Sequence, residues 1–170
     1  NDGSFLELVK KEYPKVLGVE PTNTAAISIN KGIDTIKKPL NFKLAKQIVR
    51  KYSKFDFIVA TNLFAQSNNL NEILKSVKLI LNKKGLLIVE VQYLYDLLFQ
   101  KGFDSFHHEH IAYYTASSIT KVLKKYKLHV FDAEKLKVHG GILRVYVSLH
   151  KKPNTKKLKK ILSNENDKNI

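Results

Sequence analysis

Short apolar runs alternate along this chain with segments of helical period, and that alternation restricts the fold more than any other feature. Apolar runs of strand length lie at 16–19, 57–60, 86–91, 128–131 and 143–149. Between them, apolar residues recur at helical spacing over 5–12, 44–51, 70–81 and 117–126. In 70–81 they fall at Leu70, Ile73, Leu74, Val77, Ile80 and Leu81, a one-sided stripe, and Gly85 follows as a stop signal. Strands that alternate with helices pair in parallel, which predicts a doubly wound, mostly parallel α/β sheet. The segment joining the last two runs, 132–142, has no helical pattern. Those two strands are therefore predicted to be an antiparallel pair, since a parallel crossover needs about a dozen residues or more.

The chain has 170 residues, enough for one domain, and the alternation accounts for 1–150 as a single core. Residues 151–170 read as a Lys-rich tail with one short helix around Leu158–Leu162 and frayed, solvated remainder. No apolar run approaches the roughly 18 residues that span a bilayer, so no membrane partner is expected. Cysteine is absent, which removes disulfides, thiolate catalysis and Cys-ligated zinc within these residues and accords with a cytoplasmic setting. The formal charge is +15, but it is mostly Lys, spread along the chain, with Arg only at Arg50 and Arg144. Without an Arg-rich stripe interleaved with aromatics, a nucleic-acid partner is not expected.

Two stretches carry chemistry. The first is NDGSFLELVKKEY at the start, where Asp2-Gly3-Ser4 opens a helix and Glu20 ends the next strand. A small-residue turn at a helix start offers free N–H groups, and a carboxylate at a strand end can accept both hydroxyls of a ribose. This reads as a nucleoside-cofactor site or as an ordinary turn beside a surface Glu. The strand expected before Asn1 would be the central one, so another segment is expected to supply it. The second stretch is FDSFHHEHIAYYT, with His107, His108, Glu109 and His110 together between aromatics. It lacks the usual zinc spacings, so no metal is expected there, and proton transfer or a structural loop remain as readings.

Seven stretches in order, NDGSFL, LGVEP, GIDTI, FDFIVATNLFAQ, LIVEVQYLYDL, FDSFHHEHIAYYT and HGGILRVYV, resemble the S-adenosylmethionine-dependent sugar C-methyltransferases, which act on nucleotide-linked 4-keto deoxysugars. The resemblance implies a Rossmann-like sheet of the class I methyltransferase type, with an antiparallel last strand. It covers the cofactor-binding core, without the family's N-terminal zinc lobe or C-terminal lobe. It matches the family's first loop to Asp2 and Gly3, and its ribose-binding acid to Glu20, followed by Pro21. After the fourth strand the family reads Asn, apolar, Phe, Ala, His; this chain reads Asn62, Leu63, Phe64, Ala65, Gln66. Where the family reads Tyr-His-Glu-His, this chain reads His107, His108, Glu109, His110. Both departures, Gln66 and His107, fall on the sugar side.

The implied reaction needs a carbanion beside a ketone, and histidine titrates nearest neutral pH. His110 is the candidate base, and Glu109 either orients it or binds a sugar hydroxyl. Asn62, Gln66 and His107 are candidates to face either the keto oxygen, where hydrogen-bond donors spread the enolate charge, or a ring hydroxyl. Asn62 and Leu63 also adjoin the cofactor. Tyr93, His108, His139 and Arg144 are candidate substrate contacts, with His139, before Gly140-Gly141, read also as a turn residue. Arg144 lies in an apolar strand, where an internal ion pair is an equal reading. Tyr93 and Asp96 read as rim residues, and Asp96 equally as a helix cap. The alternative function is a fragment that keeps the fold, or binds cofactor, without turnover.

Overall fold

The computed structural model describes residues 1–99, 106, 108–138 and 140–168. These form two compact units, Asn1–Leu44 and Ala45–Ile170, with the division inside a helix. The last twenty residues, expected as a tail outside the core, contribute a helix to the second unit.

In the first unit, α1 (Ser4–Lys10) leads to β1 (Gly18–Val19), α2 (Ala25–Asn30) and β2 (Thr35–Ile36). β1 and β2 pair in parallel, Gly18 with Thr35 and Val19 with Ile36. The expected strand at 16–19 is thus reduced to its last two residues. Neither α2 nor β2 was anticipated. α2 has little apolar stripe to reveal it: Ile27 and Ile29 are half exposed, while the small Ala25 and Ser28 are buried.

α3 (Phe42–Tyr52) carries the chain into the second unit. There β3 (Phe55–Thr61), α4 (Leu63–Gln66), α5 (Leu70–Ile80), β4 (Leu81–Gln92), α6 (Leu94–Phe99), α7 (Ala116–Lys125), β5 (His129–Leu136), β6 (Ile142–Ser148) and α8 (Lys156–Asn166) follow. The strand order is β3-β4-β6-β5. β3 and β4 are parallel, and β6 runs antiparallel to both β4 and β5, as the helix-free connection requires. Among the described residues, β1 pairs only with β2, and β3 only with β4.

Local chemistry explains these elements. Asn69 caps α5 through the Glu72 amide, and the stripe of Ile73, Leu74, Val77 and Ile80 is buried. Thr115 and Ser118 form a reciprocal capping box at the start of α7. Gly85, expected as a stop after 70–81, lies within β4, where the register with β3 shifts between Phe55↔Leu81 and Phe57↔Leu86. β5 runs five residues past the expected 128–131 run. Its polar residues Asp132 and Glu134 sit on a sheet face that supplies partners for them.

The tail is not frayed between 156 and 166. Thr155 caps α8 through the Leu158 amide, and Leu158, Ile161 and Glu165 are buried. The Thr155 amide donates to the Phe131 carbonyl at 2.9 Å, and its hydroxyl to Asp132. α8 is therefore attached to β5 at its first turn.

Candidate functional site

The candidate cofactor residues of the first unit lie together. Gly3 caps α1 with φ +81°, a left-handed conformation that favours glycine. A Cβ at Gly3 would stand 2.5 Å from Ser28 Oγ and 3.0 Å from Ser28 Cα, so the α1 turn packs on the backbone of α2. Asp2 accepts the Ser4 amide and hydroxyl at 3.2 and 2.5 Å and meets Lys31 at 3.3 Å. The bonds from Ser4 hold its carboxyl down at about 2.

Glu20 follows β1 directly. Its Oε1 accepts the Thr22 amide at 2.9 Å and its Oε2 the Asn1 ammonium at 2.6 Å. Burial raises its carboxyl, but the bonds from Asn1 and Thr22 outweigh that, and the group ends below the ordinary carboxylate range. Pro21 is exposed beside it.

In the second unit, β3 ends at Thr61 and Asn62 turns the chain with φ +56°. Its amide donates to the Glu90 carbonyl at 2.9 Å, which fixes the turn to β4. Its carbonyl accepts Ala65 and Gln66, making the single turn α4 that begins at Leu63. Asn62 Oδ1 is buried and has no hydrogen-bond partner among the described residues. A buried acceptor of that kind calls for a donor.

The His-rich segment is docked on this same turn. The Ala65 carbonyl accepts the Ile111 amide at 2.7 Å and the Ala112 amide at 3.3 Å. The Tyr114 hydroxyl donates to the Phe64 carbonyl at 3.2 Å. Two separated motifs, 62–66 and 108–114, therefore become one assembly. His108 and Glu109 are exposed in a turn; His110 is partly shielded, edge-on to Tyr113 with ring centroids 5.5 Å apart. Gln66 is exposed. His107 and His139 lie outside the described residues. Among the described residues, no three His, Asp or Glu side chains gather in a way that would hold a metal.

Two candidate substrate contacts occupy internal positions. Tyr93 is 1% exposed instead of standing at a rim, and its hydroxyl donates to Glu165 at 2.8 Å. Burial, then the Glu165 contact, pushes its phenol well above the usual range. Arg144 bonds Glu90 at 2.5 Å and Glu134 at 3.0 Å, the internal ion-pair alternative. Burial opposes its charge, and the carboxylates more than restore it.

The glycine pair after His139 has a structural reason. Gly141 has φ +111°, and a Cβ there would stand 2.7 Å from Asp96 Cβ. Asp96 is buried and meets Lys135 at 2.5 Å, a partner the sequence did not suggest. Glu165 was also missed, although it falls seven residues after Leu158 on the same helical stripe.

Known proteins can now be compared with this geometry. Residues 1–132 match the family model described as a methyltransferase domain. The chain is 31% identical over 149 residues to the C-methyltransferase NovU of Streptomyces niveus. That match takes in 87% of this chain and 36% of NovU, so the chain spans about a third of that relative. Among solved structures, a SAM-dependent methyltransferase from Thermotoga maritima aligns with TM-score 0.63 at 17% identity, over 88% of this chain and 78% of that one. The N-methyltransferase NodS of Bradyrhizobium japonicum WM9, in complex with S-adenosyl-L-homocysteine, aligns with TM-score 0.57 at 12% identity, over 86% and 72%. These likenesses carry the fold: α/β, with a mixed, mostly parallel sheet and one antiparallel strand.

Proposed function

Because this chain belongs to the methyltransferase domain family, we propose that it is the catalytic core of an S-adenosylmethionine-dependent enzyme that methylates a carbon beside the ketone of a nucleotide-linked deoxysugar. The observation that carries this reading is the docking of the 108–114 segment on the Asn62 turn through the Ala65 carbonyl. It joins a candidate base and a candidate enolate contact in one rigid group. The likeness to a C-methyltransferase adds weight to carbon as the methyl acceptor.

The residues suit the cofactor. Gly3 leaves no room for a side chain at the first loop, and Glu20 presents a carboxylate directly after β1. S-adenosylmethionine supplies an electrophilic methyl on sulfonium sulfur. Glu20 holds the ribose hydroxyls as acceptor, and the Asp2–Gly3 backbone receives the methionine and ribose portions.

His110 takes the proton from the carbon beside the ketone. As negative charge moves to the ketone oxygen, Asn62 Nδ2 and Gln66 donate hydrogen bonds to it. Asn62 Oδ1, buried and open among the described residues, accepts from a ligand hydroxyl or ammonium. Glu109 and His108, exposed beside the base, contact sugar hydroxyls. His107 joins them as a donor in the position where the resembled family has Tyr.

Calorimetry with S-adenosyl-L-homocysteine, paired with transfer of labelled methyl to a nucleotide-linked 4-keto deoxysugar, tests the proposal. Binding together with label in the sugar carbon supports it. Binding without transfer to any keto-sugar replaces it with the reading of a cofactor-binding domain without turnover.

A further inference from the structure

We propose that Glu165, on the C-terminal helix α8, is a positioning residue for the histidine segment that carries His110; the catalytic part of this inference rests on His110 being the base.

Glu165 is fully buried, and its carboxylate receives every donor near it. Oε1 accepts the Tyr93 hydroxyl at 2.8 Å and the Ala116 amide at 2.6 Å. Oε2 accepts the Ser117 amide at 2.9 Å and the Ser117 hydroxyl at 2.6 Å. Such saturation is what a buried carboxylate requires. Ala116 and Ser117 open α7, a ten-residue helix whose first amides and dipole favour negative charge.

These partners bracket the His110 segment on its downstream side. Tyr93 closes β4 and bridges to Tyr114, and the Leu94 amide donates to the Tyr114 carbonyl at 2.9 Å. The segment leaves His110, is held at Ile111 and Ala112 by Ala65, at Tyr114 by Phe64 and Leu94, and enters α7 at Ala116. Glu165 ties the last of these anchors to the β4 end that Tyr114 rests on. One side chain thereby sets the spacing between strand end and helix start, and the histidine segment hangs from both. The Tyr93 phenol, raised by burial first and Glu165 second, stays protonated and remains a donor throughout the neutral range.

α8 does not need Glu165 for its own attachment. Its first turn is fixed by Thr155 on Phe131 and Asp132, and by the buried Leu158 and Ile161. The carboxylate acts at the far end of the helix, on groups next to the histidine segment.

The test compares Glu165→Ala and Glu165→Gln with Leu158→Ala, which weakens α8 without touching the carboxylate. Imidazole NMR signals of His110 are read in each, together with methyl transfer and melting temperature. The single carbonyl oxygen of Glu165→Gln can still accept either from Tyr93 and Ala116 or from Ser117, but not from both sides, so this variant keeps part of the clamp and guards against loss of folding. The expected result is a changed His110 titration curve in Glu165→Ala, a smaller change in Glu165→Gln, and a wild-type curve in Leu158→Ala at lower stability. Turnover falls about tenfold or more in Glu165→Ala, with the KM for S-adenosylmethionine unchanged, as small misplacements of a base do. His110 signals that match wild type in folded Glu165 variants, or shift equally in Leu158→Ala, overturn the proposal. If wild type transfers no methyl, the proposed function fails, while the NMR comparison still decides the role of Glu165.

Discussion

The Ala65 carbonyl accepts the Ile111 amide at 2.7 Å. Ala65 belongs to the turn that follows Asn62, and Ile111 follows His110 directly, so this bond sets the proposed base, His110, against the strand end. Replacing Ile111, an exposed residue, with proline removes the donor and also narrows the backbone range of His110 before it. Ile111→Pro is expected to keep homocysteine-cofactor affinity in calorimetry and to lose about tenfold to a hundredfold in turnover. Unchanged turnover would show that the bond does not orient the base.

Gly3 and Gly32 separate two costs of a side chain. Both have positive φ, but a Cβ at Gly3 meets Ser28 at 2.5 Å, whereas at Gly32 nothing lies within 4 Å. Gly32→Ala is expected to cost only the left-handed backbone term, about 1–2 kcal/mol. Gly3→Ala is expected to cost more in denaturant titration and to weaken S-adenosyl-L-homocysteine binding. Equal losses would mean that α1 does not press on α2 as described.

The group Glu90–Arg144–Glu134 makes acid stability depend on Arg144. Bonding from Tyr146, against the cost of burial and with help from Arg144, holds Glu134 below its ordinary 4.5. A carboxylate depressed in the folded state contributes stability that is complete above its unfolded pKa and is lost as pH falls through the folded one. The contribution of Glu134 is thus present above about pH 4.5 and disappears below it. Arg144→Ala is expected to move the acid-unfolding midpoint, followed by circular dichroism, to higher pH. A midpoint that stays put would indicate that the ion pairs contribute nothing to the folded state.

Leu158 is fully buried on α8. Leu158→Ala is expected to lower unfolding free energy by about 2–5 kcal/mol, the usual cost of such a cavity. A loss near zero in denaturant titration would return 151–170 to the status of a solvated tail.

Strongly periodic elements were legible from sequence. α5 and α7 announce themselves through apolar stripes, and β6 through a run of Val, Leu and Ile. The antiparallel β5–β6 pair followed from a connection too short and too irregular for a crossover. Elements held by few residues were not legible: β1 and β2 have two residues each, and α4 has a single turn. α8 was underread because its buried stripe includes a carboxylate, and only tertiary donors from Tyr93, Ala116 and Ser117 make that burial tolerable. At the site, residue types raised Glu20 and His110 as candidates, and the resemblance added Asn62. The bonds that group 62–66 with 108–114 run through main-chain atoms, which side-chain identity does not reveal. Arg144 and Tyr93 were ambiguous for a related reason. Each carries a polar tip on an apolar strand, and only the fold shows whether that tip meets a ligand or a neighbour.

The central claim is that His110 removes the proton beside the ketone. The direct measurement is exchange of that carbon-bound hydrogen with solvent deuterium, with S-adenosyl-L-homocysteine present so that no methyl is transferred. Wild type should exchange it, and His110→Gln should bind the same cofactor product with exchange slowed about a hundredfold or more. Exchange at the wild-type rate in His110→Gln would contradict the account.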